Sequence, residues 1–306
     1  MEEVVFNTVS SPFVRRFLKR LQNTAVKNNL WKDKDRFIVA VSGGPDSLCL
    51  LDVFFLLSQK HGFTIEIAHV NYGLRGKDSD QDEKLVKDRA KAYGFPISIL
   101  RPQKTSANNL EEKLRDIRYR FFEDLRMKKM FDHIAIAHNE DDQVETFFLR
   151  LFRGSGLSGL QAMHPKRDHI IRPLLQTNRK DILQYLGERG LSYRIDQSNS
   201  DTKFFRNRIR TELLPFLKKN YQPKIEKRIA ATAELLAEDY RFIEAACKEK
   251  KQLKKNKDGS FSRSQLILLP LAELRYVLRD AIRPFLDGKN PDRKSTRLNS
   301  SHEWIS

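Results

Sequence analysis

The chain has 306 residues and a formal net charge of +17, from 57 Lys and Arg against 40 Asp and Glu. Its 40% hydrophobic and 32% charged content excludes a disordered polymer, and apolar runs such as Leu48-Cys49-Leu50-Leu51 are too short to cross a bilayer. Two distant cysteines, Cys49 and Cys247, exclude a disulfide framework, and the Met-Glu-Glu start lacks a secretory signal, so a reducing, cytoplasmic setting is expected.

Residues 1–31 read as a helical N-terminal extension. Beyond them strand-like and helix-like segments alternate. Arg36-Phe-Ile-Val-Ala-Val41 is β-branched and ends at a Gly-rich turn, which predicts a buried strand, with its helix at Pro45 to Gln59. Further strands are expected at Phe63 to Val70, Pro96 to Leu100 and His133 to Ala137. Helices are expected at Ser79 to Tyr93, Asn109 to Lys129 and Glu140 to Phe152. Such alternation predicts an α/β fold, a parallel sheet with helices on both faces. Ligands of open parallel sheets bind beyond the carboxyl ends of the strands. The polar clusters fall there: Ser42 onward, Asn71-Tyr72-Gly73, and His138 onward.

After Gly154 the texture changes. Arg172-Pro-Leu-Leu175 ends one more expected strand, Arg179 to Arg189 is helical, and Lys203 to Lys219 is strongly basic. The first domain is drawn at 32–217, a helical linker at 218–258 with Pro223 opening a long helix, and a second, truncated domain at 259–291. Residues 292–306 resemble a translated sequencing adapter and are set aside as non-native, which implies that the natural protein continues.

Ser42-Gly43-Gly44-Pro45-Asp46-Ser47 lies between a strand and a helix. Its glycines let the backbone approach an anion, the helix N-terminus points amides at it, and Ser42 and Ser47 add hydroxyls. No Walker A loop is present: Gly76-Lys77 is followed by Asp78, not Ser or Thr. The Ser-Gly-Gly-x-Asp-Ser order resembles the pyrophosphate loop (PP-loop) of the N-type ATP pyrophosphatases, which implies an adenine nucleotide alpha-hydrolase-like fold and cleavage of ATP between its α- and β-phosphates. Asp141, Asp142 and Glu145 gather at the start of the next polar helix. They either cap its amides or hold a Mg²⁺ facing the loop.

Other motifs narrow the resemblance. They are His69-Val-Asn-Tyr-Gly-Leu-Arg-Gly76 with Ser79-Asp80, Asp141-Asp142-Gln143 with Glu145-Thr146, and Arg153-Gly-Ser-Gly-Leu-Ser-Gly-Leu160. Further along come Arg172 to Leu175, Asp196 with Ser198-Asn199, Arg206-Asn207 with Ile209-Arg210, and Leu213-Leu214-Pro215. In this order, from about Phe37 to Leu217, they resemble the tRNA(Ile)-lysidine synthetase family, with Tyr72 and Asn139 as small departures. The resemblance implies ATP-dependent adenylation of C2 of the first anticodon cytidine of a CAU-anticodon tRNA(Ile), then displacement of AMP by free L-lysine. It implies pyrophosphate held by Ser42 to Ser47 and Mg²⁺ on Asp46 and Asp142. Arg115 and Arg118, in an Arg-x-x-Arg-Tyr pattern with Tyr119, would clamp phosphates or stabilise the transition state together with Arg206. Glu140 or Asp141 could hold the lysine ammonium. The 259–291 segment looks like the start of that family's tRNA-contacting domain, and a homodimer is implied.

The net charge favours a polyanionic partner, and no amphipathic basic helix suits a membrane. Lys203, Arg208, Arg210, Lys218 and Lys219, interleaved with Phe204, Phe205, Phe216 and Tyr221, form a candidate footprint for the tRNA backbone. Two rival readings remain open: a tRNA thiolase of the same nucleotide-binding group, for which Cys49 lacks a partner motif, and a non-catalytic RNA-binding module.

Overall fold

The computed structural model describes residues 11–103, 110–194, 205–249 and 260–282. Lys203, Phe204, the Asp196 and Ser198-Asn199 motif, the lysine-rich 250–259 segment and the 292–306 tail lie outside these residues. The chain divides into two compact units, residues 1–142 with 164–201 and residues 143–163 with 202–306.

The first unit is built on a six-stranded sheet in the order β3-β2-β1-β4-β6-β5. The strands are β1 (Arg36–Ala40), β2 (Thr64–Val70), β3 (Ile97–Leu100), β4 (His133–Ala135), β5 (Lys166–Arg167) and β6 (Ile170–Ile171). β1 is central and parallel to both neighbours, with Ile38 opposite Glu66 on β2 and Ile134 on β4. Its alternation explains why it is buried on both sides. Phe37 and Val39 join one core cluster, Ile38 joins another with Phe122 and Phe131, and all three β1 residues are fully buried.

The sheet is parallel, as expected, except at one edge. β5 pairs antiparallel with β6. Only Asp168 and His169 separate them, and a two-residue turn can return a strand only antiparallel.

Helix α1 (Pro12–Lys27) belongs to this core: Val14, Phe17, Leu18 and Leu21 recur at helical spacing, are buried, and pack in the same cluster as Phe37. Each such side chain contributes roughly 1.5–3 kcal/mol by leaving water. Ser11 caps it, accepting from the Val14 amide at 3.2 Å. Helix α2 (Pro45–His61) starts on Pro45 and stops at Gly62, whose φ of 67° suits the left-handed cap. Helices α3 (Lys77–Tyr93) and α4 (Leu110–Lys128) follow β2 and β3.

Helix α5 (Glu140–Leu151) begins in the first unit and continues into the second. There Val144 and Phe148 pack with Ile209, Leu214 and Ile229, whereas Leu151 stays 44% exposed. After α6 (Leu157–Leu160), α7 (Arg179–Glu188) returns to the first unit. The second unit then carries α8 (Phe205–Arg208), a π-helical turn (Ile209–Leu213), α9 (Leu214–Asn220) and α10 (Ile225–Glu249). Two short helices, α11 (Arg263–Ile267) and α12 (Leu271–Ile282), close the described chain.

Candidate active site

Strand order reverses beside β1: the chain leaves β1 toward β2 and β3, then crosses back to β4 on the other side. The crevice beyond the carboxyl ends of β1 and β4 is therefore the topological switch point, where open α/β sheets bind ligands. The Ser42–Ser47 loop leaves β1 on one flank, and the segment leading into α5 leaves β4 on the other.

The loop is held from within. The Ser47 hydroxyl donates to the Gly44 carbonyl at 2.8 Å and accepts from the Ser42 amide at 3.2 Å, while the Ser42 and Ser47 hydroxyls lie 3.2 Å apart. Gly43 has φ +95°, and a Cβ there would lie 3.4 Å from Cβ of Asp82 on α3. Its carbonyl accepts from the Arg194 amide at 3.2 Å. The Arg194 side chain binds Asp82 at 2.7 Å and Asp78 at 2.8 Å, fastening α3 to the same place. Gly44 sits at the N-cap of α2 and offers no side-chain cap, so the first-turn amides of a 17-residue helix face the loop without one. An uncapped helix N-terminus of this kind is suited to an anion.

Asp46 stands at the start of α2. One carboxylate oxygen, Oδ2, takes an ion pair from Arg179 Nη1, and Oδ1 is buried with no hydrogen-bond partner. Burial raises the Asp46 pKa; Arg179 opposes the rise, the charge of Asp142 adds to it, and the Asn139 side chain, close to the carboxylate, lowers it. The charge of Asp142 at the start of α5 is therefore felt at Asp46.

Asp142 also caps α5. It accepts from the Asn139 amide at 3.0 Å while Asn139 Oδ1 accepts from the Asp142 amide at 3.0 Å, a reciprocal capping box. The expected group of three carboxylates does not form: Glu145 is fully buried and bound by Arg206 at 2.5 Å and Arg210 at 2.6 Å within the second unit. Two guanidiniums compensate that charge, so Glu145 is committed to them in this structure. Among the described residues, no three or more His, Cys, Asp or Glu converge as metal ligands. Asp46 and Asp142 alone suit Mg²⁺, which commonly takes one or two carboxylates and completes its shell with water and phosphate oxygens. The unpartnered Asp46 Oδ1 is the atom that fits such an ion.

Arg115 and Arg118 lie on α4 and flank one ring: their guanidinium carbons are 5.3 and 5.8 Å from the centre of Tyr119. Tyr72, beyond β2, donates to the Leu114 carbonyl at 2.8 Å and so ties that loop to α4. In the second unit Arg208 pairs with Glu212 at 3.5 Å and Lys218 with Glu226 at 2.6 Å, while Arg208, Arg210 and Lys219 are exposed.

Sequence reasoning passed over Arg172 as a site residue, although its motif was legible. It is 6% exposed, and its Nε donates to His138 Nδ1 at 3.1 Å while Nη1 donates to the His164 carbonyl at 2.8 Å. A buried arginine at the end of β6 is a signal of this kind. Arg179 and Arg194 gave no signal, since each looks like an ordinary surface charge.

A family model described as a PP-loop domain matches residues 11–217. The tRNA(Ile)-lysidine synthase of Clostridium acetobutylicum is 38% identical over 238 residues, covering 76% of this chain and 51% of that protein. The enzyme of the same name from Geobacter sulfurreducens is 40% identical over 240 residues, covering 76% and 50%. That of Bacillus subtilis is 36% identical over 267 residues, covering 83% and 56%. The chain spans about half the length of the curated relatives it matches. Among solved structures, the U34-tRNA thiolase NcsA from Methanococcus maripaludis with its [4Fe-4S] cluster superposes with a TM-score of 0.56 at 22% identity. The match covers 74% of this chain and 80% of that one, a likeness of fold alone.

Proposed function

We propose, from the premise that this chain belongs to the PP-loop ATP-binding family, that it ligates lysine to an anticodon cytidine of tRNA. ATP binds with its pyrophosphate on the Ser42–Ser47 loop and on the open N-terminus of α2. The C2 carbonyl oxygen of the first anticodon cytidine of a CAU-anticodon tRNA(Ile) attacks the α-phosphorus. The bond to the β-phosphate breaks, and pyrophosphate leaves. The amine of free L-lysine then attacks C2, AMP departs with the oxygen, and the amine proton is released to give lysidine.

The observation that carries the reading is Asp46, whose Oδ1 makes no hydrogen bond and which feels the charge of Asp142, at an uncapped helix N-terminus at the switch point. Mg²⁺ on these two carboxylates would offset charge on the leaving pyrophosphate. Arg115 and Arg118, stacked on Tyr119, supply cations to the nucleotide phosphates. Arg206, which pairs with the buried Glu145, is the third cation that the motif assigns to phosphate or transition-state charge. Glu140 or Asp141 holds the lysine ammonium. Lys203, Arg208, Arg210, Lys218 and Lys219 bind the tRNA backbone, and residues 259–291 begin a further tRNA-contacting domain. Thiolation is less well supported: Cys49 is fully buried, and burial pushes its thiol pKa well up, away from a reactive thiolate.

Labelled lysine, ATP and Mg²⁺ with a CAU-anticodon isoleucine tRNA transcript test the proposal. Lysine should enter that transcript and not one altered at the first anticodon base. Equal incorporation into both, or AMP release without lysine transfer, overturns the substrate assignment. The backbone footprint predicts tRNA affinity that falls steeply as salt rises, and a flat response removes it.

A further inference from the structure

Arg179 is the charged contact of the Asp46 carboxylate. The residue opens α7, where Asn178 caps the helix by accepting from the Asp181 amide at 2.8 Å. A cation in the first turn of a helix opposes the macrodipole, so helix formation gives no reason for an arginine there. Joining α7 to α2 gives none either. That junction is already made by Asp52 of α2, which is fully buried and accepts from Tyr185 Oη of α7 at 2.6 Å and from Nε of Arg189, the C-cap of α7, at 2.8 Å.

The pair at Asp46 differs in kind. The Arg179 side chain is 38% exposed, and the Asp46 side chain 23% exposed. A half-open ion pair of this sort adds little stability. Yet Oδ1 of Asp46 makes no hydrogen bond, and the charge of Asp142 is felt at this carboxylate, so a cation beside Asp46 stabilises its charged form.

Resting on the PP-loop reading above, we infer that Arg179 is a nucleotide-site residue with two positions. It neutralises Asp46 while the site is empty, and it moves its guanidinium to a phosphate oxygen of bound triphosphate when a divalent cation engages Asp46. The guanidinium has five N–H donors in a fork suited to carboxylate or phosphate, so it can serve both partners. The exchange keeps the local charge balanced: the carboxylate gains one cation as the other follows the incoming anion.

The full chain and its Arg179→Gln and Arg179→Lys variants decide the matter through two affinities. One is for Mn²⁺ without nucleotide, read as loss of the free-ion paramagnetic resonance signal. The other is for ATP with Mg²⁺, read by equilibrium dialysis. Arg179→Gln should bind Mn²⁺ about 3- to 10-fold more tightly, because a competing cation is gone. It should bind ATP about 10-fold more weakly, because a charge-assisted phosphate contact is gone. Arg179→Lys, which keeps the charge and loses the fork, should stay near wild type for Mn²⁺ and lose ATP affinity severalfold.

Opposite movements in the two affinities are the signature, since a strut between helices would shift neither upward. Unchanged or weaker Mn²⁺ binding in a folded Arg179→Gln chain overturns the inference, as does unchanged ATP binding. If that variant unfolds, wild-type ATP affinity in Arg179→Lys overturns it alone. A wild-type chain that binds neither Mn²⁺ nor ATP defeats the PP-loop reading itself, and this inference with it.

Discussion

Asp46 and Asp52 lie six residues apart on one helix, both largely withdrawn from water, and they are used in opposite ways. Asp52 is fully buried and saturated. Tyr93 and Arg189 donate to Oδ1 at 2.5 and 3.1 Å, and Tyr185 and Arg189 donate to Oδ2 at 2.6 and 2.8 Å. The network raises the pKa of both tyrosines, through burial first and then through the Asp52 charge, so their hydroxyls remain donors. Asp46, a turn and a half nearer the sheet's ligand-binding edge, has one ion pair, the Asn139 side chain close by, and an Oδ1 that makes no hydrogen bond of ordinary geometry. A carboxylate whose every lone pair is filled holds helices together. One left half-filled beside a second carboxylate and a helix N-terminus is poised for a ligand.

The contrast is open to attack in several ways. Asp52→Ala strands a buried guanidinium and two hydroxyls and should lower the unfolding free energy by about 3–5 kcal/mol, seen in urea titration. A loss below about 1 kcal/mol would unmake the structural role. Asp46→Asn should do the reverse. Turnover should fall about 10²- to 10³-fold, while the urea midpoint stays put or rises slightly, because the folded state disfavours the charge that is removed. Gly43→Ala places a side chain at φ +95° and 3.4 Å from Asp82, at a cost of about 1–2 kcal/mol in stability and with weakened ATP binding. Equal ATP affinity in this variant would detach the loop from the nucleotide.

The smallest effect is at Glu83, held by Arg101, Lys87 and Asn71, whose bonds outweigh burial and bring its pKa from 4.5 down to about 2. A depressed carboxylate pKa contributes stability that is full above 4.5 and fades as pH falls toward about 2. Glu83→Gln should therefore flatten the pH dependence of the urea midpoint in that window and leave ATP affinity unchanged. Retention of the wild-type slope would place the acid sensitivity elsewhere.

Much of this was legible in the residues. The Arg36–Ala40 strand, the Pro45 helix start and the polar ends of β1, β2 and β4 follow from β-branched runs, Gly-rich turns and alternation, and expected element ends fall within about two residues of those observed. β6 lies where the strand ending at Arg172 was expected, but β5 and its hairpin pairing were not legible, because two-residue strands carry no period. In the site, Asp46 and the loop were legible because their chemistry is local in sequence. The fate of Glu145 was not: one of the arginines that claim it is 61 residues away, and spacing along α5 pointed to its own helix's acids instead. Arg179 reaches Asp46 across 133 residues, which no local pattern reports. Asp52 did leave a trace, a single carboxylate inside the apolar run Leu48 to Leu57, a place where only a fully paired charge can stay.

The most direct test of the account is the identity of the nucleotide released when the chain meets ATP, Mg²⁺, free L-lysine and the CAU-anticodon transcript. The account predicts AMP and pyrophosphate in equal amounts, formed only with that transcript present. ADP and inorganic phosphate would contradict it, because the loop at Asp46 would then be cutting the triphosphate at the wrong bond.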